Sequence, residues 1–308
     1  MKKFFYFLLI IVSFLLNSCG NKEEKQNLNW SKFKWTSDTI DGEIFKKTAQ
    51  FVPFKFKNNP KRYYMQLDIG ADVNILYAIP YYQIINSKNP NDTVEYVTTL
   101  IDGEVGNFKY KNTTFYVLNN FGNLIDPADT LPIIGTIGLE FFKNKALVIN
   151  FPDQKFLIID SSSTLPTGII DTAQMIDVVI SNNKLFIPIQ TADTTFTDFF
   201  FDTGSSSTCL LTKKSLWQKL TGRKVNEIDN IYSKGMSWGK ETIKVGAPLK
   251  TYLIIAGVKF TNPIVEFDST GVIKFEDWPF KVDGLIGNAL FYNKYTVVID
   301  FVNSRFGL

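Results

Sequence analysis

Two aspartates sit in the same local pattern. Leu67-Asp68-Ile69-Gly70-Ala71 and Phe201-Asp202-Thr203-Gly204-Ser205 each end an apolar run on Asp-x-Gly followed by a small residue. A carboxylate placed after three phenylalanines, Phe199 to Phe201, is expensive to bury unless something pairs with it. It is either an ordinary strand-end turn residue or a group held for acid–base chemistry. The composition narrows the second option. The 308 residues contain no histidine, which excludes Ser-His-Asp and Cys-His catalysis and His-ligated zinc or haem. Acid–base work is left to Asp, Glu, Lys, Tyr or Cys209. Without a histidine to activate it, Cys209 reads as a small buried hydrophobe in an apolar strand.

The elements that must position these carboxylates read as strands. Most segments are short apolar runs rich in Phe, Tyr, Ile, Val and Thr, separated by Asn, Asp, Gly and Pro, so the chain is expected to be mostly β. Short helices are expected at Leu139 to Phe142, Ser215 to Leu220 and Ala289 to Tyr292, and turns at Asp102-Gly103 and at Asn119 to Asn123. Net charge is +3, from 33 Lys+Arg against 30 Asp+Glu, with no basic block that would suit a nucleic-acid partner.

The chain also resembles itself. Phe51-Val-Pro-Phe54 matches Phe186-Ile-Pro-Ile189, and the two Asp-x-Gly segments match each other. Asn107 to Asn112 matches Gly257 to Asn262, and Ile134-Gly-Thr-Ile-Gly138 matches Asp283-Gly-Leu-Ile-Gly287. Phe141 to Phe156 matches Leu290 to Phe306 with one inserted residue. Five matches in one order imply two homologous lobes, 29–160 and 171–308, joined by a polar linker at 161–170. Two copies of one lobe tend to pack about a pseudo-twofold axis, where equivalent residues meet.

The N-terminus reads as a targeting segment. Lys2 and Lys3 precede an apolar run, Phe4 to Leu16, that is too short for a good transmembrane helix. Leu16-Asn17-Ser18-Cys19 resembles the lipobox of bacterial lipoproteins. That resemblance implies a signal peptide over 1–18, lipid attachment at Cys19 and a tether over 19–28. The implied location is the cell envelope, as an outer-membrane lipoprotein facing the periplasm or the cell surface.

The paired motifs resemble those of the pepsin and retropepsin aspartic proteases. Strand–Asp-Thr-Gly–small residue, then Ile-Gly, a short helix and a closing hairpin, is that family's order, and Asp283 to Leu308 resembles the closing segment of a pepsin-like lobe along its length. The string Asp68-Ile-Gly-Ala-Asp72, in a short first lobe, looks more like a retropepsin subunit. The resemblance implies two closed-barrel-like β lobes with Asp68 and Asp202 facing each other as a catalytic dyad that shares one proton and activates a water. It implies supporting roles for Gly70, Ala71, Thr203, Gly204 and Ser205. Thr203 would lock the two loops together, Ser205 would bond Asp202, and Gly135 and Gly284 would lie in loops beneath the dyad. A peptide or protein would be the substrate, bound extended, to a monomer that needs no cofactor and no metal.

Two departures are visible. Ile69 stands where that family usually has Thr or Ser, which removes half of the reciprocal lock. A covering hairpin is expected between Tyr82 and Leu100 with its tip at Asn86 to Thr93, which lacks the glycines of retropepsin flaps. Tyr96 is a candidate flap tyrosine, and Gly235 to Lys240, with Trp238, is the candidate hairpin of the second lobe. The alternative to an endopeptidase is a catalytically impaired relative that binds peptides or partners at the cell surface. Asp72 reads as a surface or lobe-interface contact, and Asp300 as a strand-end residue.

Overall fold

The computed structural model describes residues 28–40, 42–88, 94–160, 165–170, 172–237 and 239–308. The signal peptide, Cys19, most of the expected flap tip and Trp238 lie outside them. The protein is mostly β, in two lobes built on one pattern.

In the first half, seven strands form one sheet. Glu43–Phe56 pairs with Tyr63–Leu67 on one side and with Tyr96–Val105 on the other, which closes the sheet on itself. At its centre Ile133–Ile137 lies parallel to Tyr63–Leu67 and antiparallel to Ile75–Tyr77. The second half repeats this centre. Gly284–Ile286 lies parallel to Phe199–Phe201 and antiparallel to Leu210–Thr212. Strands buried on both faces carry unbroken apolar runs, which is why Phe199, Phe200 and Phe201 are all buried.

The duplication extends to single backbone angles. Gln154 and Ser304, matched in sequence, both take φ of 51° in the turns of the closing hairpins. Asn112 and Asn262, also matched, take φ of 48° and 51°. Asparagine tolerates this left-handed region better than most side chains. The closing hairpins then join the halves. Lys145–Asn150 pairs antiparallel with Thr296–Asp300 in a six-stranded sheet drawn from both halves. One hydrophobic core runs through both, with Phe142 stacked on Phe301 and Phe151 on Phe291.

The helices Leu139–Phe142 and Lys214–Thr221 fall where expected, and a 3-10 turn, Asn288–Leu290, overlaps the third. Three expectations need correction. Asp102 and Gly103 lie inside the strand Tyr96–Val105, where an irregularity in the pairing, not a chain reversal, takes up the Asp-Gly. The segment expected to open the first-lobe flap is instead a helix, Ala78–Ile84, and Tyr96–Val105 pairs with the later strand Phe108–Leu118. Pro80 is compatible with that helix because it sits in the first turn, where backbone N–H groups have no intrahelical partner. Cys209 lies one residue before the strand Leu210–Thr212, half-buried, and burial pushes its thiol up to about 11.

Candidate active site

Each aspartate is the first residue beyond a central strand. Asp68 follows Tyr63–Leu67 and its amide donates to Ile137 O at 3.0 Å. Asp202 follows Phe199–Phe201 and its amide donates to Ile286 O at 2.9 Å, the equivalent bond in the repeat. The chain turns sharply after each, and the two turns meet back to back. The two carboxyl groups face one another there and line one cavity, close enough that each acts on the other's charge.

The glycines make this approach possible. A Cβ on Gly70 would collide with the carboxylate of Asp202, and one on Gly204 with that of Asp68. Each motif's glycine is therefore the floor on which the other motif's acid rests. The expected residues beneath the turns are corrected by one step of the Gly-x-Ile-Gly repeat. Gly135 and Gly284 are strand residues, wedged against Ile75 O and Leu211 O rather than lying in loops. Gly138 and Gly287 pack beneath the aspartate turns, where a Cβ would strike Ala71 O and Val73 O, or Ser205 O and Thr208 O.

The hydrogen bonds around the pair are unequal. Asp202 accepts from Gly204 N at 2.8 Å, Ser205 N at 3.3 Å and Ser205 Oγ at 2.8 Å. Asp68 accepts from Ala71 N at 3.0 Å. Burial and then the neighbouring Asp202 charge hold the Asp68 carboxyl well above the usual carboxylate range. Ala71 offers no hydroxyl at the place where Ser205 supports Asp202.

The lock is one-sided. Thr203 Oγ1 accepts from Ile69 N and donates to Leu67 O, both at 2.9 Å, crossing from the second half into the first. Ile69 is fully buried and returns no bond. Beneath Thr203, Asn288 Nδ2 donates to Thr203 O at 2.8 Å and to Ser206 Oγ at 3.1 Å. Tyr292 Oη lies between Ser206 O and Lys47 O of the first half, with its one proton to donate to either carbonyl.

The pair opens into a cavity of about 730 Å3 whose walls include Phe200, Trp278, Phe275 and Ile273. Ser237 lines it from the hairpin made by Ile231–Ser237 and Lys240–Pro248, the second-lobe hairpin expected from Gly235 to Lys240. Tyr96 is exposed and packs on Tyr116, and the cavity lining does not include it. Asp72 is at the junction of the halves, where Lys184 Nζ donates to its Oδ1. Asp300 ends its strand and accepts from Val302 N and Asn303 N. Lys184, which the sequence does not single out, lines the cavity beside both aspartates.

No protein-family model matches the chain, and no curated protein matches its sequence. Among solved structures it is similar to an aspartic proteinase from Irpex lacteus, at 12% identity and a TM-score of 0.47, over 84% of this chain and 93% of that one. It is also similar to conglutin gamma, a basic 7S globulin from lupine seeds, at 12% identity and a TM-score of 0.47, over 91% of this chain and 94% of that one.

Proposed function

We propose that the protein is an aspartic endopeptidase, and the observation that carries this is the pair Asp68 and Asp202, brought together across an internal repeat with each carboxyl resting on the other motif's glycine. Two carboxyl groups in contact cannot both ionise cheaply, so the pair holds one proton. Asp68, buried and supported by one main-chain donor, keeps that proton, which leaves Asp202 to act as the base. Asp202 then takes a proton from a water as that water's oxygen adds to the peptide carbonyl carbon. Asp68 gives its proton to the carbonyl oxygen, which forms a neutral gem-diol. In the second step Asp202 passes its proton to the amide nitrogen, the C–N bond breaks, and Asp68 recovers a proton from one gem-diol hydroxyl. The aromatic and aliphatic walls of the cavity suit an extended peptide, with the second-half hairpin as its cover.

By the same reading the chain is tethered to an envelope membrane through a lipid on Cys19 and works there as a monomer. Incorporation of labelled fatty acid, lost in Cys19→Ala, is the expected outcome for that tether.

Ile69 favours a second reading, a non-cleaving relative that keeps the cleft for binding. Peptide cleavage separates the two. The soluble form starting at Gly20 is expected to cut a diverse peptide library between pH 3 and 8. Asp68→Asn and Asp202→Asn are each expected to abolish cutting with the fold intact by circular dichroism. A wild type as silent as both variants would leave the binding reading in its place.

A further inference from the structure

Lys184 is an unusual side chain for its position. It opens the strand Lys184–Phe186 directly after Asn182 and Asn183, whose φ angles of 49° and 53° make the tight turn of a hairpin. That turn fixes its register, and Phe186 then pairs with Phe200 on the strand that ends at Asp202. The residue is only 8% exposed. Its ammonium lies 5.8 Å from the Phe200 ring centre and 5.6 Å from that of Trp278. Nζ donates to Gly70 O at 2.5 Å and to Asp72 Oδ1, both in the first half. A buried ammonium is costly unless its geometry is satisfied, so this placement needs a reason.

The loop it grips is the one that carries Asp68. Thr203 already holds that loop at Leu67 O and Ile69 N, and Ile69 has no hydroxyl with which to answer. We propose that Lys184 is a positioning residue for the dyad: it clamps residues 70–72 so that Asp68 meets Asp202, and its charge sets the pH range over which the pair keeps one proton. The charged groups that line the cavity with it are Asp68, Asp72, Asp202, Lys274 and Asp277. Tyr77 also faces Asp68. Removing the ammonium leaves Asp68 with its two acidic neighbours and without the cation held against its own loop. Removing the charge of Asp72 does the reverse.

This inference rests on the proposed dyad, and its test reads the dyad with or without turnover. The full soluble chain is labelled with 13C at aspartate carboxyls, and the Asp68 and Asp202 signals are titrated in wild type, Lys184→Met, Lys184→Arg and Asp72→Asn. The pH dependence of kcat and KM is measured beside them on a cleaved peptide. Lys184→Met is expected to move the pair's titration to higher pH and Asp72→Asn to lower pH. Lys184→Met should lower kcat by at least about tenfold, in line with losing charge-assisted hydrogen bonds, with KM within about twofold. Lys184→Arg should recover most of kcat. Titrations that stay at the wild-type pH in both Lys184→Met and Asp72→Asn would overturn the proposal, as would shifts of the same sign in the two. If wild type proves inert while the opposite shifts appear, the protease reading fails and the positioning role stands. Should Lys184→Met not fold, the Asp72→Asn shift and the Lys184→Arg titration decide alone.

Discussion

Asp68 keeps its proton because the fold takes it out of water and sets a second acid against it. The consequence for stability has a definite sign. A carboxyl whose pKa is raised by folding binds more protons in the native state than in the unfolded one, between the ordinary value near about 3.9 and the raised value. Its contribution is therefore present in acid and is lost as pH rises through that window. Asp68→Asn, which is neutral at every pH, should lack this loss. We expect the wild-type Tm to fall relative to that of Asp68→Asn between pH 4 and 8 by more than about 2 °C, measured by calorimetry. Parallel curves would mean that Asp68 is not strained by its site. The two aspartates were legible in the sequence because the same four-residue pattern occurs twice, in matching contexts. Lys184 was not legible: nothing in Lys-Leu-Phe marks a lysine as buried, and its role comes from a strand register that only the folded hairpin fixes.

At the scale of elements, the aspartate turns rest on glycines packed against main-chain carbonyls. Backbone cannot swing aside as a flexible side chain can. Gly138→Ala and Gly287→Ala should each cost more than about 2 kcal/mol and lower cleavage as well, because the displaced carbonyls belong to the turns that carry Asp68 and Asp202. Gly168→Ala is the control, since a Cβ there meets nothing within 4 Å. Urea midpoints of the three variants check this, and equal midpoints would show that the turns are compliant. The repeat Gly-x-Ile-Gly announced that glycine mattered, but the first and second glycines look alike in sequence. Their difference is one of depth: the first is squeezed between strands and the second sits under the turn. The helix Ala78–Ile84 was illegible for a related reason. Seven residues with a proline and two tyrosines carry no clear period, and the helix is fixed by burying Ala78, Pro80 and Tyr81.

Across the whole molecule, the duplication suggests two units that could unfold apart, yet the pairing argues against it. Lys145–Asn150 and Thr296–Asp300 are neighbours in one sheet, so neither closing hairpin is complete without the other half. Phe291 makes the same point in the core. It is fully buried, stacks on Phe151 of the first half, and meets Phe201, Phe260 and Phe306 of the second. Phe201 is the residue before Asp202, so this one ring packs against both the junction of the halves and the strand that ends at the dyad. Phe291→Ala should cost about 3–5 kcal/mol. If the halves form one cooperative unit, that cost is felt everywhere. Hydrogen exchange in Tyr63–Leu67, in the half that does not contain the substitution, should accelerate as much as exchange in Phe199–Phe201. Acceleration confined to the second half would show two foldons joined by a shared sheet, and the dyad would then lie across a boundary able to open without global unfolding.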